Sequence, residues 1–325
     1  MFISIVGTRA SGKTSVEDLL ISEHEYQPVR LGVKPESSPN GVSSRLPTLY
    51  FETPAALLEY VTQHWLESFV TCDLDTPELV ELFNKRPFFL LVFIDAPLLT
   101  RYRRSHFNTS LESFVEEDDA LHYGTPALST SKPKHQYAPL QRLSRFANIH
   151  LINPFDTLSE LHAYLREFNL TNPDRLRPQW DTYFMTLASL ASHRSNCMKR
   201  RVGAILVRDK RIVATGYNGT PRNVRNCNEG GCKRCNSGGP SGEGLDECLC
   251  LHAEENALLE AGRERVGLGS VLYCNTCPCL GCAIKIVQTG VKEVVYNLTY
   301  KVDDRTEALF KEAGVIIRQH SPPEY

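Results

Sequence analysis

A chain of 325 residues, 42% hydrophobic and 23% charged with a formal net charge of −2, reads as a soluble globular protein with room for two domains. It has no global field to draw it onto a polynucleotide or a membrane, and no apolar run nears the ~20 residues of a spanning helix. The N-terminus shows neither a basic n-region nor a cleavage site, so no secretory signal is expected. The eleven cysteines are therefore expected in a reducing compartment, cytoplasmic or also nuclear, where clustered thiols bind metal or do redox chemistry more often than they form structural disulfides. Residues 1–174 carry net −7 and residues 175–325 net +5, and the basic half suits a small anionic substrate.

In chain order, "MFISIVGTRASGKTS" predicts a strand, a glycine loop and a helix start. Gly7, Gly12, Lys13 and Thr14 satisfy G-x-x-x-x-G-K-[ST]. In that motif backbone amides and a helix N-terminus cradle phosphate, the lysine reaches the outer phosphates and the threonine holds Mg²⁺. "FFLLVFIDAP" (88–97) predicts a strand buried on both faces and ending at Asp95. "NIHLINP" predicts another strand and "TLSELHAYLREF" an amphipathic helix. This half resembles P-loop nucleotide kinases, and Arg101, Arg103 and Arg104 fall where that family places arginines over the phosphates. No second acid for a phosphoryl acceptor stands out in 30–87, a region rich in Pro and Ser ("KPESSPNGVSSRLPT") that is expected to be loop. The same glycine turn also arises without a ligand, so the half reads either as a nucleotide-binding module or as a scaffold.

"NLTNPDRLRPQW" carries prolines among polar residues and is expected to join two domains, 1–170 and 179–325, through a linker at 171–178. Beyond it, "WDTYFMTLASLASHRSN" has helical spacing, with Phe184, Leu187, Leu190 and Ala191 on one face. "VGAILV" and "RIVATGYN" predict a hairpin around "RDK". A glycine- and cysteine-rich loop from 218 to about 247 precedes a helix from about His252 to Gly262. The strand "SVLYCN", a helix with Pro278 in its first turn, the strand "EVVYN", the helix "DDRTEALFKEAG" and the strand "VIIRQ" complete a mixed sheet flanked by helices. The expected class is thus α/β, a parallel-sheet domain followed by an α/β/α domain with a mixed sheet.

Two helix starts carry the chemistry. Cys279 and Cys282 are three apart, so both thiols share a helix face, and the helix N-terminus favours thiolate. With His252 they make a two-thiolate, one-imidazole set suited to Zn²⁺ with an open fourth position for water. Glu254, two residues from His252, can meet that water without binding the metal. H-x-E followed by P-C-x-x-C is the zinc nucleobase deaminase signature, in which zinc-bound hydroxide attacks the amine-bearing carbon and the glutamate moves the protons. The half-motifs arrive in order, 27 residues apart with one strand between, which chance C-x-x-C pairs or helix-capping histidines do not reproduce.

"RPQWDTYFMTLASLASHRSNCMKRRVGAILV", "IVATGYNGTPRNVRNC", "CLCLHAEENALLEAG" and "YCNTCPCLGCAIKIVQTGVKEVVY" together resemble the deoxycytidylate deaminases, fungal type, of the zinc-dependent cytidine/deoxycytidylate deaminase family, over roughly 175–320. The resemblance implies conversion of dCMP to dUMP and ammonia, which supplies dUMP for thymidylate synthesis. It implies activation by dCTP, inhibition by dTTP and a homo-oligomer, commonly a hexamer. It places Asn218 of "GYNGTP" on the nucleotide, the backbone of Ala253 on the base, and "RSNCMKRRVG" near the substrate. The chain departs from the family pattern at Asn275 and Cys277, where threonine and an apolar residue are usual.

The glycine-rich loop has little core, and Cys227, Cys232, Cys235 and Cys248 are expected to staple it through a second, structural zinc, with Cys250 as the alternative to Cys248. Free thiols packed near the active site are the other reading. Among rival functions, a tRNA adenosine deaminase would want a more basic surface than the acidic first half offers. A free-cytosine enzyme would not need phosphate contacts.

Overall fold

The computed structural model describes residues 1–34, 46–105, 109–124, 140–238, 244, 247–299 and 304–323. The chain divides into two units, Met1–Leu176 and a second that begins at Arg177. No described helix is long and apolar enough to cross a membrane.

The first unit runs β1 (Phe2–Gly7), α1 (Lys13–His24), β2 (Gln27–Leu31), β3 (Leu49–Phe51), α2 (Pro54–Gln63), β4 (Phe69–Thr71), α3 (Pro77–Asn84), β5 (Phe89–Asp95), α4 (Leu98–Arg104), α5 (Leu111–Tyr123), α6 (Leu140–Ser144), β6 (Ile149–Ile152) and α7 (Leu158–Phe168). Its strands form one parallel sheet in the order β3-β2-β4-β1-β5-β6. The central strands β1 and β5 are buried on both faces, which is why they read as near-continuous apolar runs. Ile3, Ile5 and Val92 face one helical layer; Phe2, Val6 and Leu91 face the other. Threonines open three of the helices: Thr53, Thr76 and Thr157 each accept a backbone N–H, and Thr157 with Glu160 completes a capping box.

The expectation that 30–87 is loop is corrected by the structure, which puts β3, α2, β4 and α3 there. Strands β3 and β4 are three residues each, too short to show a period, and they owe their conformation to parallel pairing with β2 and β1. Most of "KPESSPNGVSSRLPT" lies outside the described residues.

The second unit runs α8 (Trp180–Ser192), β7 (Gly203–Arg208), β8 (Arg211–Tyr217), α9 (Lys233–Asn236), α10 (Ala253–Ala261), α11 (Arg263–Val266), β9 (Val271–Thr276), α12 (Leu280–Thr289), β10 (Glu293–Leu298), α13 (Asp304–Glu312) and β11 (Ile316–Gln319). The sheet order is β11-β10-β9-β7-β8, with β7 antiparallel to both neighbours and β9, β10 and β11 parallel. This is the mixed α/β sheet that the pattern of elements implied.

Two local expectations change. The inward face of α8 is Phe184, Met185 and Ala188, while Leu190 is 62% exposed. Pro278 precedes α12 rather than lying in its first turn, and Cys279 is the N-cap.

One contact fixes where the site sits. Gly216 of β8 lies against α10 so closely that a Cβ there would come within 2.1 Å of the Ala253 carbonyl oxygen and 2.5 Å of the Ala257 nitrogen. The missing side chain lets α10 pack directly on the sheet.

Candidate active site

Two helix N-termini carry the reactive groups: His252 is the N-cap of α10 and Cys279 the N-cap of α12. His252 Nδ1 lies 3.3 Å from Cys279 Sγ and 3.3 Å from Cys282 Sγ. All three atoms fall within 4.8 Å of one another. Zinc bonds of ~2.0–2.3 Å in a tetrahedron set such N···S edges at about 3.5 Å, so the donor set fits Zn²⁺. The Cys279 thiol is pulled down to about 3, first by the hydrogen bond from Cys282 and then by His252, against the opposing effect of burial. The hydrogen bond with Cys279 in turn raises His252. The same neighbour, together with burial, pushes Cys282 well above the usual thiol range. One sulfur is thus already thiolate at neutral pH, as a metal ligand must be.

Glu254, in the first turn of α10, is only 3% exposed, and its Oε2 has no hydrogen-bond partner among the described residues. Burial raises its pKa, with a smaller opposing pull from its own backbone N–H and from His252. A buried carboxylate oxygen without a partner is costly. It makes sense where the missing partner is a reactant.

These groups border a cavity of about 210 Å³. His252, Glu254, Cys277 and Cys279 line it, and Lys199, Arg200 and Arg234 bring positive charge to the same space. Cys274 instead is fully buried in the core of β9, and Asn275 accepts a hydrogen bond from the Gly203 N–H at 3.1 Å.

Asn218 also lines the cavity, but most of its amide is committed. Its Oδ1 accepts from the Val202 N–H and its Nδ2 donates to the Arg200 carbonyl, both at 2.8 Å, so it holds the 200–202 backbone against the cavity. One donor and one acceptor site remain on such an amide. Ala253, expected to meet the base through its backbone, is the first residue of α10 after His252, and its side chain packs in the core. A two-way bridge, Gly219 N–H to Leu251 O at 3.1 Å and Leu251 N–H to Gly219 O at 2.9 Å, clasps the residue before His252 to the segment after Asn218.

The expected structural-zinc set is revised. Cys227, Cys232, Cys235 and Cys248 do not form one mutually close group; Cys250 belongs with them, and so does Cys197, from the loop after α8. Spacing within 227–250 cannot reveal a thiol thirty residues upstream, although a cysteine beside the basic run "KRR" was visible. Lys199 and Arg200 belong to "RSNCMKRRVG", expected near the substrate; Arg234 had no sequence signal.

In the first unit, Gly7, Gly12, Lys13 and Thr14 come together between β1 and α1. Gly12 takes φ 104 and the N-cap of α1. Lys13 Nζ donates to the carbonyls of Gly7 at 3.0 Å and Thr8 at 2.6 Å, and Thr14 is exposed. Arg101 is not presented to a phosphate: it is buried and forms a two-pronged pair with Asp118. Arg104 donates to the carbonyls of Ala10, Asn153 and Phe155.

Residues 178–298 match the cytidine and deoxycytidylate deaminase zinc-binding region, the class that the fold and the His252–Cys279–Cys282 cluster define. The deoxycytidylate deaminase of Schizosaccharomyces pombe is 46% identical over 99% of this chain and 98% of its own length. That of Saccharomyces cerevisiae is 39% identical over 99% and 97%. The chain belongs to the deoxycytidylate deaminase family, and the likeness to these two relatives extends through the first unit. Among solved structures, a cyanophage S-TIM5 dCMP deaminase in complex with dCMP and dUMP is 33% identical over 44% of this chain and 98% of that one, with a TM-score of 0.36.

Proposed function

We propose that the protein converts dCMP and water to dUMP and ammonia. The observation that carries the proposal is a zinc-fitting trio beside a buried carboxylate oxygen without a partner, in a cavity that also holds three cationic side chains. His252 Nδ1, Cys279 Sγ and Cys282 Sγ would hold Zn²⁺. When bound, zinc supplies the Lewis acidity that makes water nucleophilic near neutral pH. Glu254 takes the two protons of the attacking water in turn, passing one to the ring nitrogen and the other to the amine, which departs as ammonia. Its burial suits both halves of the task, because a raised pKa lets it hold a proton between them. Lys199, Arg200 and Arg234 match the charge of the 5′-phosphate, and the uncommitted donor and acceptor of Asn218 are available to the sugar. A panel of dCMP, CMP, deoxycytidine, cytosine and a tRNA anticodon stem tests the assignment. A preference for dCMP over deoxycytidine of at least ~10²-fold in kcat/KM is expected, the scale of lost charge-assisted phosphate contacts; equal rates would remove the phosphate from the proposal.

The same proposal includes a structural zinc held by the cysteines of the 218–250 loop, whose local core consists of sulfurs alone. It includes regulation by dCTP and dTTP and a homo-oligomeric assembly. It also reads the first unit as a P-loop kinase-like module that takes a nucleoside phosphate with Mg²⁺. Support comes from the central position of β1 in a parallel sheet, the left-handed Gly12 and the placement of Lys13 over the loop carbonyls. Lys13→Ala is expected to weaken binding of a nucleoside triphosphate with Mg²⁺ at least ~10-fold by calorimetry. Turnover of dCMP measured alongside reports that the fold is intact. Unchanged affinity would leave the loop without this role.

A further inference from the structure

Six cysteine sulfurs meet beside the cavity, and they form two mutually close groups of four: Cys197, Cys227, Cys235 and Cys250, and Cys232, Cys235, Cys248 and Cys250. Cys235 and Cys250 belong to both. We propose that this cluster is a binuclear zinc–thiolate centre, with Cys235 and Cys250 bridging two ions, Cys197 and Cys227 completing one tetrahedron, and Cys232 and Cys248 the other. The inference deepens the structural-zinc reading and rests on it.

Two separate tetrahedral sites need eight ligands, whereas two tetrahedra sharing an edge need six, the number gathered here, and the shared edge is the pair of sulfurs common to both groups. Distances agree. Zinc–sulfur bonds of ~2.3 Å in a tetrahedron put sulfurs about 3.8 Å apart. The observed separations are 3.7 Å for Cys197–Cys235, 3.9 Å for Cys232–Cys248, 3.5 Å for Cys235–Cys248 and 3.9 Å for Cys235–Cys250.

Hydrogen-bond donors already point at the outer sulfurs. The Met198 N–H reaches Cys227 Sγ and the Lys199 N–H reaches Cys197 Sγ, each at 3.4 Å, and the Arg234 guanidinium reaches Cys248 Sγ at 3.9 Å. Such donors orient and stabilise metal-bound thiolates. A single zinc would instead leave two of the six thiols unligated within this packed group. Binding two Zn²⁺ expels six thiol protons and leaves the centre with a charge of −2, adjacent to Arg234. The centre also has a mechanical role: Cys197 lies two residues before Lys199 and Cys235 directly follows Arg234, so tying them together fixes Lys199, Arg200 and Arg234.

Zinc per chain decides the matter, measured by elemental analysis and native mass spectrometry on the full-length holoprotein after dialysis against a weak chelator. Three zinc ions are expected, one at His252–Cys279–Cys282 and two here. Two ions would overturn the binuclear centre and leave a single structural zinc; one ion would overturn both. Cys235→Ser, which removes a shared ligand, is expected to lower the count by two. A loss of one from that variant overturns the sharing even if the wild type holds three. Should Cys235→Ser fail to fold, the wild-type count decides alone.

Discussion

Replacing Glu254 with glutamine is expected to lower dCMP turnover ~10²–10⁴-fold at saturating substrate, the range that general acid–base groups contribute, while zinc content stays at the wild-type value. Glutamine keeps the shape of the side chain but cannot shuttle a proton. The metal should remain because the ligand cluster contains His252, Cys279 and Cys282 but not Glu254. Stability should not suffer. The native carboxylate is buried with one oxygen unpartnered, and a neutral amide pays less desolvation at that position. Kinetics, elemental analysis and thermal unfolding on one preparation separate the possibilities. Retention of more than a tenth of the rate would deny Glu254 the proton-transfer role. Loss of zinc would make it a ligand.

Gly216→Ala should produce the second largest effect, although this glycine lines no part of the cavity. Its added methyl group would meet the Ala253 carbonyl oxygen at 2.1 Å and the Ala257 nitrogen at 2.5 Å, both backbone atoms of α10. Backbone in a helix cannot swing aside as a side-chain tip can, so α10 must lift from β8. The expected cost is about 3 kcal/mol, typical of overpacking. His252 and Glu254 ride on the lifted end, and His252 must keep its 3.3 Å approaches to two sulfurs on α12. Displacement of about 1 Å in such a constellation costs ~10²-fold in rate. Urea titration and kcat on the same variant check both numbers. A variant within twofold of wild type in rate and within 0.5 kcal/mol in stability, roughly the scatter of neutral surface changes, would show that the helix does not bear on this strand.

The reactive cluster was legible because its signal is local. His252 with Glu254 and Cys279 with Cys282 are each short-range pairs at helix starts, and the intervening strand fixes how they meet. The long apolar strands β5 and β9 were legible for the same reason. What escaped depends on contacts remote in sequence. Cys197 joins the sulfur cluster only because α8 ends beside the loop. Strands β3 and β4 exist through their neighbours. Arg101 looked like a phosphate ligand from its position after Asp95, yet Asp118, seventeen residues on, claims its guanidinium. Asn218, placed on the nucleotide by resemblance, does line the cavity; what escaped is that its amide also braces the Arg200–Val202 backbone.

The Gly219–Leu251 clasp has a consequence in polymer terms. It closes residues 219–251 into a ring whose mouth is fixed by two backbone hydrogen bonds. The entropic cost of shutting that mouth grows only logarithmically with the length of the enclosed chain, about 0.6 kcal/mol per doubling. Insertions on the far side of the ring would therefore be nearly free for His252, which sits one residue outside it. The span between Cys235 and Cys248, which holds none of the clustered sulfurs, can therefore vary in length, while the spacing from Leu251 to Glu254 cannot.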